Sequence, residues 1–246
     1  MTDIVVDHFK TIVEPDLFFD GKRYTVKGEV SEEECPNVYE GLTEDEMKEG
    51  HHINYYTFRK FFELLSQFKE PTIIETGTSC WSVTCSSLLF DRFVNKYGGK
   101  FHTVDTVPYT INRAKTLLSP LSTANLGDSV SFIKSFQGKV DAVYLDSWDI
   151  DWLDYTPSAE HGRKEMEAVL EKLNDKAIIL IDDTPASPFF LPYRGDTHTS
   201  VKDLYEITNT MPGKGMYAEE VLNAHPEFKY TKVLHMYAVI YIVERV

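Results

Sequence analysis

Two apolar runs, "FKYTKVLH" (228–235) and "YAVIYIVER" (237–245), are separated by a single residue. Strands joined so tightly must be antiparallel, because a parallel return needs a crossover of a dozen or more residues. The chain before residue 184 predicts the opposite arrangement. Strand-like and helix-like stretches alternate there: strand 72–76, helix near 81–96, strand 100–105, helix 109–118, a weak strand at 123–127, a short helix at 129–136, strand 140–146, helix 160–174 and strand 177–182. Such alternation indicates an α/β domain with a mostly parallel sheet. An irregular stretch rich in Pro, Gly and Thr (184–200) and helices near 201–210 and 215–224 lead to the final pair. A parallel sheet closed by an antiparallel hairpin is an unusual combination, and it narrows the field of folds.

The remaining organisation is simpler. Residues 1–50 are acidic and broken by Pro and Gly, and read as an N-terminal arm or lid before a domain at 51–246. They could serve as a lid, a dimer arm or neither, which leaves a homo-oligomer open. "NYYTFRKFFELLSQF" (54–68) spaces Tyr55, Phe58, Phe62 and Leu65 as an amphipathic helix does. A formal charge of −14 argues against nucleic acid and anionic membranes as partners. No run is long and apolar enough to span a bilayer, and the start lacks a secretory pattern. Cys35, Cys80 and Cys85 show no CxxC spacing and suit reduced thiols, so a cytoplasmic location is expected.

Carboxylates then recur where strands end. Glu75 follows the first strand, Asp105 the second, Asp128 the third, Asp146 the fourth, and Asp182 with Asp183 the fifth. Each alone could cap the following helix. Five strand ends in register are harder to dismiss, because ligands of open α/β sheets bind beyond the carboxyl ends of the strands. In "IIETGTSCWS" (73–82), Gly77 sits in the turn and would let backbone approach a ligand. The stretch is not GxGxxG, which disfavours a dinucleotide pyrophosphate. An acidic residue on each strand suits a ligand with an amine and a ribose diol.

In this order, "IIETGTSCWS", "FHTVD", "NLGDS", "DAVYLDSWD" and "AIILIDDT" resemble a class I S-adenosylmethionine-dependent methyltransferase. The nearer likeness is to metal-dependent small-molecule O-methyltransferases of the catechol type and of the macrolide and aminocoumarin sugar type. It covers roughly residues 50–246. The resemblance implies a Rossmann-like, three-layer α/β fold with a seven-stranded sheet, mostly parallel and ending in an antiparallel hairpin. It implies that Glu75 and Gly77 open the cofactor motif, with Thr78, Ser79 and Ser82 near the methionine portion. Asp105 would hold the ribose hydroxyls, and Asp128 and Ser129 would lie by the adenine. Asp146, Asp182 and Asp183 match the divalent-metal ligands, and their all-oxygen character suits Mg²⁺ or Mn²⁺. The substrate implied is a small hydroxylated molecule, a sugar or glycosylated metabolite among the options.

The departures are specific. Trp81 stands where glycine is usual, and Asp149 occupies the catechol type's lysine position. Asp149 is the first choice as the base that takes the acceptor's proton, with Asp151 and His161 as alternates. Trp148 and Trp152 could wall a substrate pocket or pack in the core. His51-His52 could belong to a lid, and "MPGKGMY" (211–217) reads as a loop and helix start near the substrate mouth. Three rival functions stay open: a nicotinamide-dependent oxidoreductase on a similar sheet, against which the lone Gly77 and the terminal hairpin count, a hydroxylase-like relative with these motifs acting on antibiotic precursors, and a non-catalytic protein that binds S-adenosylmethionine.

Overall fold

In the strand Thr72–Thr76 (β3), Ile73 belongs to one buried core and Ile74 to another. The same alternation separates Ala142 and Tyr144 from Val143 and Leu145 in Val140–Leu145 (β6). It separates Ile178 and Leu180 from Ile179 and Ile181 in Leu173–Ile181 (β7). Strands apolar on both faces need cover on both, which dictates three layers. The protein is described here by a computed structural model covering residues 4–5, 18–19, 51–52, 54–79, 85–191 and 196–246.

The remaining strands of the main sheet are Lys100–Asp105 (β4), Ser122–Leu126 (β5), Phe228–His235 (β8) and Val239–Arg245 (β9). The sheet has seven strands in the order β5-β4-β3-β6-β7-β9-β8. The first five of that order run parallel, whereas β9 pairs antiparallel with both β7 and β8. This is the Rossmann-like architecture expected from the sequence, including the closing hairpin. A separate antiparallel pair joins Phe18–Phe19 (β1) to His51–His52 (β2). Of the expected arm at 1–50, only residues 4–5 and 18–19 are described, and Val5 is buried in the first core.

One face carries the helices Tyr55–Leu65 (α1) and Ser86–Tyr97 (α2). Phe58, Phe61, Phe62, Phe90 and Phe93 from these helices pack with Phe101 and Tyr144. Phe58 and Phe90 hold the Tyr144 ring at centroid distances of 5.3 and 5.7 Å. The helix Thr156–Leu170 (α5) and the short Ala218–Asn223 (α7) cover the other face through Met166, Val169, Val221 and Leu222. Pro108–Leu117 (α3), Ser129–Ser135 (α4) and Asp196–Thr208 (α6) complete the helices used below. No described helix is long and apolar enough to cross a membrane.

Four element starts differ from the sequence reading by four residues or more: α2 starts at Ser86 rather than 81, α6 at Asp196 rather than 201, and two adjoining elements shift together. The helix expected at 160–174 runs from Thr156 to Leu170, with Pro157 in its first turn, where a missing N–H costs nothing. The next strand begins at Leu173 rather than 177. Its polar opening "LNDK" hides strand character, but Leu173 pairs with Val140 and Lys176 with Glu244. A register irregularity between Val140 and Ala142 absorbs the early start.

Candidate functional site

The parallel strands deliver their carboxyl ends along one edge, where a cleft of about 620 Å³ opens. That volume lies within the range of small-molecule sites. Gly77, Thr78 and Ser79 enter it from β3, Asp105 from β4, Asp128 and Ser129 from β5, and Asp146 and Asp149 from β6, with His161 reaching in from α5. Most of the residues named from sequence therefore share one cavity.

Gly77 adopts φ +81°, and a Cβ there would lie 2.3 Å from the Asp146 carbonyl oxygen. The adjacent ends of β3 and β6 approach so closely that only glycine fits. Asp105 is fixed by two backbone donors: the Thr78 N–H reaches Oδ2 at 3.1 Å, and the Val107 N–H reaches Oδ1 at 2.7 Å. Each oxygen keeps a lone pair for a ligand hydroxyl. Asp128 accepts the Ser131 N–H at 2.8 Å as the cap of α4. That amide and the Ser131 hydroxyl hold its carboxyl below the usual range. It is both cap and cleft lining, so the two readings of a strand-end aspartate coexist.

Ser129 Oγ lies 2.9 Å from His161 Nε2, and the His161 ring packs on Trp148 at 5.2 Å. Trp148 is 56% exposed at the cleft and has φ +61°, whereas Trp152 is buried in the first core. Trp152 thus packs in the core, and Trp148 lines the cleft. Glu75 is placed differently from the other strand-end acids. It is fully buried, does not line the cleft, and accepts hydroxyl bonds from Ser86 (2.5 Å), Thr103 (2.7 Å) and Ser87. Burial outweighs those hydroxyls and pushes its pKa up to about 8. Its contribution is to pin the start of α2 to β3 and β4. Ser82 and Trp81 lie outside the described residues.

Thr110 was not marked by any sequence signal. Its hydroxyl is buried on the cleft wall and finds no hydrogen-bond partner among the described residues. A buried hydroxyl left unmatched is costly unless a ligand completes it.

The second element of the site adjoins the first at Asp146. Leu145 on β6 is level with Ile181 on β7, so the next residues, Asp146 and Asp182, emerge side by side. Asp183 follows with φ +43°, a strained backbone for a residue with a side chain. The Tyr144 hydroxyl lies 2.5 Å from Asp182 Oδ2 and 3.2 Å from Asp146 Oδ2. Asn54 Nδ2 donates to Asp182 at 3.2 Å, and the Tyr237 hydroxyl donates to Asp183. Between the carboxylates sits a cation from the chain itself: Lys214 Nζ is 2.6 Å from Asp146 Oδ1 and 2.8 Å from Asp183 Oδ2. The lysine is 4% exposed. Burial disfavours its charge, but the Asp146 and Asp183 carboxylates reverse this and hold it firmly protonated. Asp146 and Asp182 are pushed up, chiefly by burial; Lys214 opposes the rise and Asp183 reinforces it.

The loop "PGKG" is shaped to deliver that lysine. A Cβ on Gly213 would meet the Asp183 carbonyl oxygen at 2.6 Å, and one on Gly215 the Thr184 hydroxyl at 2.8 Å. Gly162 of α5 would meet the Lys214 carbonyl at 2.2 Å. Sequence reasoning placed this loop near the substrate mouth but missed its lysine; the two flanking glycines were the available signal. With Lys214 among these carboxylates, the cluster does not fit a resident Mg²⁺ or Mn²⁺. Such an ion needs an oxygen shell where the ammonium now lies. Among the described residues, no group of His, Cys, Asp and Glu is arranged to hold a metal ion.

No protein-family model and no curated protein sequence matches the chain. Solved structures share its fold. The MycE methyltransferase from the mycinamycin biosynthetic pathway, solved in complex with Mg and SAH (S-adenosylhomocysteine), aligns at TM-score 0.54 and 12% identity. The alignment covers 79% of this chain and 50% of MycE. The N-methyltransferase NodS from Bradyrhizobium japonicum WM9 aligns at TM-score 0.48 and 10% identity, over 78% of this chain and 96% of NodS. At such identities the likeness is one of fold.

Proposed function

We propose that this protein is an S-adenosylmethionine-dependent methyltransferase acting on a hydroxyl of a small molecule, with a sugar or glycosylated metabolite as the leading class. The observation that carries the reading is the cleft itself. It combines a glycine cradle that a Cβ would fill, a carboxylate pinned by two amides at the second strand end, and an unmatched buried threonine hydroxyl. These features fit the nucleoside and amino-acid parts of the cofactor.

When bound, the cofactor supplies an electrophilic methyl group on a sulfonium centre. Asp105 would hold the ribose diol, Asp128 and Ser129 would border the adenine, and Gly77 to Ser79 would border the methionine portion. His161 is bonded to Ser129, which supports a position for it near the adenine in this arrangement. Asp149 lies in the loop that follows Asp146 and is the proposed base. A carboxylate is a weak base toward a resting alcohol. Asp149 needs to take the proton only as the new carbon–oxygen bond forms, when that proton has become acidic. Trp148, exposed at the cleft, offers an apolar face to the acceptor.

The test is calorimetry with S-adenosylmethionine and its demethylated product. Wild type is expected to bind both. Asp105→Ala should weaken binding by about 1–3 kcal/mol through loss of charged hydrogen bonds. Absence of binding by the wild type would remove the reading.

A further inference from the structure

We infer that Lys214 is a built-in cation that takes the position of a divalent metal among Asp146, Asp182 and Asp183, so that methyl transfer in this protein runs without a metal ion. The inference rests on the methyltransferase reading for its reaction, but its structural part stands on contacts alone.

Three carboxylates gathered at adjoining strand ends repel one another unless a positive charge lies among them. Lys214 provides one, bonded to Asp146 at 2.6 Å and to Asp183 at 2.8 Å. The third carboxylate, Asp182, is satisfied by neutral donors: the Tyr144 hydroxyl, the Asn54 amide and the Asp183 N–H at 2.9 Å. Each of the three carboxylates thus finds its donors within the chain. The lysine is not a surface side chain folded inward by chance. Its own N–H donates to the Asp183 carbonyl at 3.0 Å, and the Gly215 N–H donates to the Thr184 hydroxyl at 2.9 Å. Gly162, Gly213 and Gly215 each leave room that a Cβ would fill. The loop is thus locked to the segment that bears two of the carboxylates.

A lysine also differs from Mg²⁺ in what it can do. A metal accepts two vicinal oxygens of a substrate into its shell, whereas an ammonium only donates hydrogen bonds. Lys214 is a positioning residue: it fixes Asp146, the one member of the cluster that lines the cleft. Recognition of an acceptor through Asp146 then calls for a single hydroxyl donor rather than a chelating diol.

The experiment compares wild type with Lys214→Met, which keeps the bulk of the side chain and removes its charge. Mn²⁺ binding is followed by electron paramagnetic resonance, and melting temperature is measured with Mn²⁺ and with EDTA. The variant is expected to gain one saturable Mn²⁺ site that wild type lacks, and to melt roughly 5 °C higher or more with saturating ion. Wild type should melt alike with either addition. Equal numbers of Mn²⁺ sites in the two proteins would overturn the inference. Should the variant not fold, wild type alone decides through Tb³⁺, whose emission Tyr144 and Tyr237 would sensitise from their places on the cluster. Saturable sensitised emission counts against Lys214 as the resident cation, and its absence supports it. Calorimetry with S-adenosylmethionine on the same samples separates the two ideas, because a failure there sinks the methyltransferase reading while the cation result still stands.

Discussion

Asp149 and Asp105 differ in how firmly the protein holds them, and that difference fits their proposed tasks. Asp105 receives two backbone N–H groups and is fixed before any ligand arrives. Asp149 is exposed in the loop after β6, free to meet an acceptor of variable shape. Asp149→Asn keeps the shape and removes the charge. If it is the base, turnover should fall at least ~100-fold while cofactor affinity stays unchanged. Single-turnover assays with a hydroxylated acceptor and calorimetry on the same sample would show both. Near-normal turnover would move attention to His161. Asp105 was legible in the sequence because it ends a strand bounded by loop residues, whereas Asp149 was singled out only through the family resemblance. Lys214 was not legible, because its partnership with Asp146 spans a separation that no periodicity reports.

Strands β3 and β4 match the stretches read from sequence, bounded by Pro71, Gly77 and Gly99, with buried Ile73, Ile74, Phe101 and Val104 inside them. The junction between α5 and β7 resisted such reading, because "LNDK" carries strand pairing on polar side chains. The meeting of α5 with the lysine loop also escaped it. Gly162 lies inside a helix, where glycine ordinarily costs up to ~1 kcal/mol relative to alanine. Here its Cβ would strike the Lys214 carbonyl. Gly162→Ala should therefore destabilise the fold, by roughly 1–3 kcal/mol in urea titration, despite the gain in helix propensity. Gly127→Ala, at a position with open space around it, should stay within about 0.5 kcal/mol of wild type. Equal behaviour of the two variants would show that the loop yields easily.

Acid groups inside the protein and the excess of acid groups overall act in the same direction as pH changes. Glu75 has its folded pKa raised from 4.5 to about 8 by burial, so the native state keeps a proton that the unfolded chain releases. Stability from this group is complete below pH 4.5 and is lost as pH rises through 8. The formal charge of −14 adds self-repulsion over the same climb. Urea midpoints should fall from pH 5.5 to pH 8, and Glu75→Gln should flatten the slope. A wild-type midpoint that rises across this interval would contradict the assignment of a protonated Glu75.

The place of β9 between β7 and β8 carries a consequence in time. Among the described residues β8 pairs with no strand but β9, so it has no seat in the sheet until the strand after it has formed. Lys214 and Tyr237, which quiet the carboxylates of Asp146, Asp182 and Asp183, also follow those residues in the chain. During synthesis, the three acids therefore exist before their counter-charge does. The "PGKG" loop that carries Lys214 and the turn before β9 that carries Tyr237 both come after the five parallel strands in the chain. The site is therefore complete only when residues far later in the chain than its acids have joined them.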